Sequence, residues 1–344
     1  MDAGMSTLNL LQLDLTDECP LFCSHCSNSS GPRFESALKY DTVEANVTDA
    51  AELGCTDVVL SGGEPLRYAS FDRLLSLCKA LGMRTTVFTT GIRNKNTRLP
   101  IADFEWRGMN SLGLSVAVFS AYAGPSGRDF HNRIVRLRPV GVRDAFEANE
   151  LGIVRAQRAG IAVEVQFIPS DETCSELGAI SSWATKLHVR RLHLQYPAPQ
   201  GRNRESASLV VGRRSEALLK GEALALSKGP MPLHISRLWR ARWGTPDEVS
   251  GTSQLIVRSD GLAVICNACK YRIGSGLTRS TYEQSLRQIW ADEVWRNSPC
   301  ECSTDDSRPL KQAATPSGCP SVHIVRTHDL LASSVERSER RLGG

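Results

Sequence analysis

No apolar run in the 344 residues approaches the ~20 needed to cross a bilayer, so no membrane-spanning helix and no membrane partner are expected. Near Met1 there is no basic segment followed by an apolar core, which excludes a recognisable secretory signal and points to a cytoplasmic chain. A surplus of one charge is also missing. The 41 Lys and Arg against 37 Asp and Glu leave a net +4, too small to imply a nucleic-acid partner. There is no internal repeat beyond an alternation of short strands and helices, and no pattern that specifies an oligomeric state. Hydrophobic residues at 41% and charged residues at 23% are ordinary for a globular protein, with room for one large domain and a smaller one.

What stands out is cysteine. Eleven are too few for a disulfide scaffold of this length, and their clustering suggests metal or redox chemistry in a reducing compartment. Cys19, Cys23 and Cys26 lie within eight residues. Cys55, Cys78 and Cys174 are isolated, and the first two sit in apolar patterns that suit packed small hydrophobes. Cys266, Cys269, Cys300, Cys302 and Cys319 gather in the last quarter, which suggests a second metal site.

The first group, Cys19-Pro-Leu-Phe-Cys23-Ser-His-Cys26, follows Leu10-Leu-Gln-Leu-Asp-Leu-Thr16, whose alternation reads as a strand running into a loop. Three thiolates on one loop are soft ligands for zinc, copper(I) or an iron–sulfur cluster. A [4Fe–4S] cluster takes four cysteines as a rule, so three local ones would leave one iron open to another ligand. About one βα unit downstream, the short apolar strand Asp57-Val-Val-Leu60 leads into Ser61-Gly-Gly-Glu-Pro65. Glycine there permits close backbone approach and positive φ, and Glu64 adds a carboxylate able to accept from an ammonium group.

Helical spacing follows over Asp41–Leu53, Phe71–Leu81, Arg143–Ala159 and Cys174–Lys186. Strand patterns fall at Arg84–Thr90, Leu112–Val118, Ile161–Ile168 and Arg191–Tyr196. Six strands alternating with helices imply right-handed βαβ units and a parallel sheet. The cysteine loop, Gly62-Gly63 and Thr89-Thr90-Gly91 all fall at strand C-terminal ends, where parallel barrels carry their functional loops. Arg128 to Arg143 reads as a long basic loop holding His131 and Asn132, which either borders the substrate or is a solvated face. A helix is expected over Arg213–Ser227, and Leu233–Pro246 has no readable period. Gln254–Ile265 reads as a hairpin around Ser259-Asp-Gly261 that delivers Cys266.

The spacing of Cys19, Cys23 and Cys26, together with the downstream Gly62-Gly63-Glu64, resembles the radical S-adenosylmethionine (radical SAM) superfamily. The resemblance implies an α/β fold, a partial (β/α)6 TIM-like barrel over residues 1–205. In that family SAM chelates the open iron through its amino and carboxylate groups. Carried over by position, His25 would lie near the adenine and the Gly62-Gly63-Glu64 motif would meet the methionyl amino group. Thr90 follows the third strand. Ser115 resembles the position that reaches the ribose, Gln166 a ribose or carboxylate contact, and Arg202 an arginine near the SAM carboxylate. A structural zinc site or unrelated buried thiols remain alternatives for the triad.

The order hairpin, Cys266, glycine, Ser285-Leu-Arg-Gln-Ile-Trp290 helix and further cysteines resembles the cysteine-rich SPASM or shorter twitch extension of such enzymes. A domain over 206–344, frayed from about residue 325, would then hold an auxiliary [4Fe–4S] cluster. A full SPASM domain has seven cysteines and this chain offers five, so one cluster is expected from Cys266, Cys269, Cys300, Cys302 and Cys319, with a zinc ribbon as the alternative. The resemblance further implies reductive cleavage of SAM and hydrogen abstraction by a 5′-deoxyadenosyl radical. An electron donor such as flavodoxin or ferredoxin would supply the electron. The expected substrate is a ribosomally made peptide, crosslinked, oxidised or epimerised. An aminosugar or nucleoside of an antibiotic pathway is the alternative, as is a non-enzymatic zinc or redox sensor. The catalytic residues themselves are not legible.

Overall fold

A computed structural model describes residues 7–94, 96, 98–136, 140–244, 253–265 and 278–296. Strands β1 (Leu10–Asp14), β2 (Asp57–Ser61), β3 (Arg84–Thr89), β4 (Leu114–Ala121), β5 (Ala162–Phe167) and β6 (Arg191–Leu194) pair side by side and in parallel. Between them run α1 (Tyr40–Glu52), α2 (Phe71–Ala80), α3 (Asp103–Ser111), α4 (Arg128–Val135), α5 (Ala145–Arg158) and α6 (Leu177–Lys186). After β6 come α7 (Arg202–Ser206), α8 (Arg213–Leu226), β7 (Leu233–Ile235), α9 (Arg237–Trp243), β8 (Gln254–Val257), β9 (Leu262–Val264), β10 (Arg279–Ser280), α10 (Leu286–Ala291) and α11 (Glu293–Arg296).

The described strands form one sheet in the order β10-β9-β8-β1-β2-β3-β4-β5-β6-β7. The count of six parallel strands is too low, because β7 adds in parallel to β6 and β8 adds in parallel to β1. Leu233–Pro246 had no readable period because it holds two short elements, a three-residue strand and a seven-residue helix. Its Trp239 and Trp243 stack with ring centroids 5.2 Å apart, and Trp239 packs edge-on against Tyr196. The hairpin at Gln254–Ile265 is present, and Gly261 takes the positive φ its turn requires.

Alternation within each strand decides what faces what. In β1, Leu11 and Leu13 join the main apolar core that α1 and α2 also supply, while Leu10 and Gln12 face a central cavity. Residues of β1 to β5 and the segment after β6 line that same cavity. A flat sheet could not bring its first and sixth strands around one cavity, so the sheet curls as a partial barrel. A second, smaller apolar cluster roofs the strand ends and joins Cys19 and Leu21 to Tyr122, Phe130, Ile134 and Val135. No helix of the described residues is long and apolar enough to cross a membrane.

The basic stretch Arg128–Arg143 departs from expectation. It opens as helix α4, with Phe130, His131, Ile134 and Val135 buried on one face. The arginines that made it read as solvated lie elsewhere on that helix, where Arg128 pairs with Asp144 and Arg133 with Glu172. Charge outweighed a short apolar stripe in the sequence pattern; packing reverses that order.

Candidate functional site

The loop after β1 is held on all sides by backbone. The Cys19 amide donates to the Gly31 carbonyl at 3.1 Å, and the Ser24 amide to Ile134 O at 3.1 Å. The Cys23 thiol lies 3.6 Å from Val135 O, at the end of α4. Arg202 braces the loop: its Nε donates to Cys23 O at 2.8 Å and its Nη2 to Ser30 O at 2.6 Å. Its guanidinium also lies 4.1 Å over the Phe22 ring. Gly201, at φ +56°, brings that backbone so close that a Cβ would stand 2.4 Å from Cys26 O.

Cys19, Cys23 and Cys26 all line the central cavity, of about 300 Å³, at the C-terminal ends of the strands. Burial pushes the Cys23 thiol up to about 12 and the Cys19 thiol well above the ordinary range; Cys26 raises Cys23 further, and Cys23 raises Cys19 further. Among the described residues, no three His, Cys, Asp or Glu side chains stand close enough in this arrangement to hold a single metal ion. A four-iron cluster is wider than one ion, and its ligand sulfurs stand correspondingly further apart. Three thiols on one braced loop, facing one cavity, fit such a cluster by the softness of the donor set.

Gly62 and Gly63 border the same cavity. The structure gives them a reason that the sequence did not. A Cβ on Gly62 would fall 2.5 Å from Thr16 O, and one on Gly63 2.4 Å from Glu18 O. The two glycines let this turn lie directly on the segment that leads into Cys19, an approach sealed by the Glu64 amide donating to Glu18 O at 2.9 Å. Gly62 O accepts from Asn28 Nδ2 at 2.7 Å, which ties the turn to the residues just past Cys26.

Glu64 is fully buried and is not part of the cavity wall. Its carboxylate accepts from Thr89 Oγ1 at 2.7 Å, the Thr90 amide at 2.8 Å, Thr90 Oγ1 at 2.6 Å and the Leu66 amide at 3.3 Å. Burial raises its carboxyl, and these donors offset part of the rise. Glu64 therefore fastens the end of β3 to the glycine turn, and Thr90 reaches the cavity from that junction.

His25 lines the cavity with its ring centroid 4.2 Å from that of Tyr122. Burial lowers it to about 3, so it is neutral, and its Nδ1 is buried without a partner. Gln166 faces the cavity from β5. Two expected residues do not reach it. Ser115 lies at the opposite, N-terminal end of β4, bonded to Gly113 O, while Ser120, five residues on, is in the wall. Arg202 acts on the cysteine loop from behind. Cys266, Cys269, Cys300, Cys302 and Cys319 lie outside the described residues.

Tyr122, Asn149 and Gln195 also line the cavity and were not singled out from the sequence; His131, noted there in the basic stretch, lines it too. A usable signal was present. Parallel strands buried on both faces are normally apolar throughout, yet Gln12, Ser120 and Gln166 recur at inward positions. Polar residues at that period mark a wet barrel interior. Deeper in the barrel, buried Glu164 and His193 and half-buried His234 form a chain, with 2.6 Å between Glu164 and His193 and 3.2 Å between the two histidines.

Residues 13–169 match the radical SAM superfamily. The chain is 27% identical over 233 residues to the PqqA peptide cyclase of Methylocella silvestris, a match covering 65% of the chain and 58% of that protein. It is 24% identical over 228 residues to the Fe-coproporphyrin III synthase of Methanosarcina barkeri, covering 64% and 53%. The chain thus spans little more than half the length of these curated relatives. Among solved structures it resembles Streptococcus suis SuiB bound to its precursor peptide SuiA, with a TM-score of 0.64 at 13% identity, covering 85% of the chain and 66% of SuiB.

Proposed function

Residues 13–169 are a radical SAM domain, and on that premise we propose that the chain reductively cleaves SAM and acts on a C–H bond of a ribosomally made peptide. The observation that carries the reading is the convergence on one cavity of three thiols from one loop, the Gly62-Gly63 turn and Thr90. Cys19, Cys23 and Cys26 would hold a [4Fe–4S] cluster, which with SAM bound would supply the one-electron chemistry.

The chain's own residues position and protect. Arg202 and the Ser24–Ile134 bond hold the cysteine loop against the roof. The Glu64 junction sets the spacing between the loops after β2 and β3. The second apolar cluster closes over the thiols and limits water, which suits a site that must avoid side reactions. The peptide substrate is supported by what the relatives act on: a PqqA peptide in one, and the precursor SuiA bound in the other. An electron donor such as flavodoxin or ferredoxin would supply the electron, and Cys266, Cys269, Cys300, Cys302 and Cys319 would hold an auxiliary [4Fe–4S] cluster.

Cys23→Ala in the anaerobically reconstituted protein abolishes 5′-deoxyadenosine formation from SAM, measured by chromatography with dithionite as reductant. Retained formation in that variant would falsify the cluster assignment. For the auxiliary site, the folded Cys19/Cys23/Cys26→Ala variant keeps roughly four irons per chain. A folded but iron-free variant removes the second cluster.

A further inference from the structure

Among the described residues, the 33 that line the cavity beside the cysteine loop include no Asp, Glu, Lys or Arg, although 23% of the chain is. Seven of them are Asn or Gln, set among Phe88, Tyr122, Tyr196 and aliphatic side chains. The charged groups nearest this wall are turned to the protein. Glu64 is held by Thr89 and Thr90, and Arg202 by the Cys23 and Ser30 carbonyls. Glu164 is held by His193.

Two polar groups on the wall are available to a ligand. The side-chain amide of Gln195 makes no hydrogen bond within the described residues, and it offers both donors and an acceptor. His131 lies in the wall from α4, between Tyr122 and Phe146, and its buried Nδ1 has no partner.

We propose that the substrate segment seated in this cavity is uncharged, an aliphatic or other neutral side chain together with its backbone amides, bound through Gln195 and His131. This rests on the cavity being the reaction site of the proposed function. A carboxylate or ammonium entering here loses its hydration and meets no counter-charged side chain among the described lining residues, whereas an amide exchanges water for carboxamide and imidazole partners. The family resemblance gives His25, Gly62-Gly63, Thr90 and Gln166 of this wall to SAM; Gln195 and His131 lie outside that set and are left to face the substrate. An uncharged wall that hydrogen-bonds amides discriminates against cationic aminosugars and against polycarboxylates.

The test uses the reconstituted full chain with SAM and three leucine probes that differ only in charge: neutral N-acetyl-leucinamide, cationic leucinamide and anionic N-acetyl-leucine. Ligand-observed NMR titration reads the affinities. The neutral probe binds about tenfold or more tighter than either ion. In Gln195→Lys the anion gains about tenfold relative to the other two, while Gln195→Met weakens the neutral probe and favours neither ion. Overturning results are an ion that binds as tightly as the neutral probe, no binding of any probe up to about 20 mM, or an unchanged ranking in folded Gln195→Lys. 5′-Deoxyadenosine is measured in the same samples. Its absence beside the expected ranking counts against the radical reading and for the uncharged seat.

Discussion

At Gly63 the distance from where a Cβ would stand to Glu18 O is 2.4 Å, shorter than any side chain tolerates. The neighbour is backbone, so relief must come from moving the segment that leads into Cys19. Gly63→Ala is therefore expected to destabilise the fold by about 1–3 kcal/mol, the usual range for overpacking, read by chemical denaturation. The same variant takes up less iron on reconstitution. Wild-type stability together with wild-type iron would show that the contact relaxes without shifting the loop. Arg202 illustrates a related point: a residue near a site in sequence logic acts on the loop's carbonyls rather than on a ligand. Its two donor bonds and its stacking on Phe22 need the planar guanidinium, a geometry lysine lacks.

Helix α5 shows how one side chain can set an element. Asp144 is its N-cap, accepting from the Glu147 amide at 3.0 Å and, with both carboxylate oxygens, from Nε and Nη2 of Arg128. The element matters to the site because α5 supplies Ala145, Ala148 and Asn149 to the cavity wall. Burial alone would raise the Asp144 carboxyl, but the Arg128 and Glu147 bonds outweigh it and hold it at about 2, below its ordinary 3.8. A carboxyl depressed in the folded state stabilises fully above its unfolded value and loses that contribution as pH falls through the folded one. Asp144→Ala accordingly costs about 1–2 kcal/mol at neutral pH, the magnitude of a lost cap. The gap between variant and wild type narrows below about pH 4. Denaturation curves at pH 7, 5 and 3 check this; a gap constant across them sinks the assignment.

On the scale of the whole molecule, the strand that closes one side of the cavity's first wall comes from far along the chain. β8 pairs with β1 from Leu10↔Gln254 to Leu13↔Val257, and Leu255 and Val257 are fully buried there. Ser259, at the hairpin turn, donates to Asp17 Oδ1 at 2.7 Å, two residues before Cys19. The stretch 13–169 that defines the domain by sequence therefore lacks one of the two strands that flank β1. A chain ending at Gly244 keeps every motif of that stretch, yet exposes β1 as an unpaired apolar edge, the kind that templates aggregation. It is expected to elute as aggregate on size exclusion, where the full chain does not. A monodisperse, iron-binding truncation would contradict this.

The cysteine spacing, the Gly62-Gly63 turn and the six βα units were legible from residue order because each is local: a loop, a turn, a period of two or of 3.6. Even the reason for polar residues at alternate barrel positions was open to reading. Folding alone decided three things. Glu64 became a fastener for the end of β3, and His131 reached the wall from a helix rather than a loop. Ser120 took the place at the cavity expected of Ser115. Each depends on contacts between residues tens to hundreds of positions apart, and only the curled sheet, with β8 laid against β1, fixes those distances.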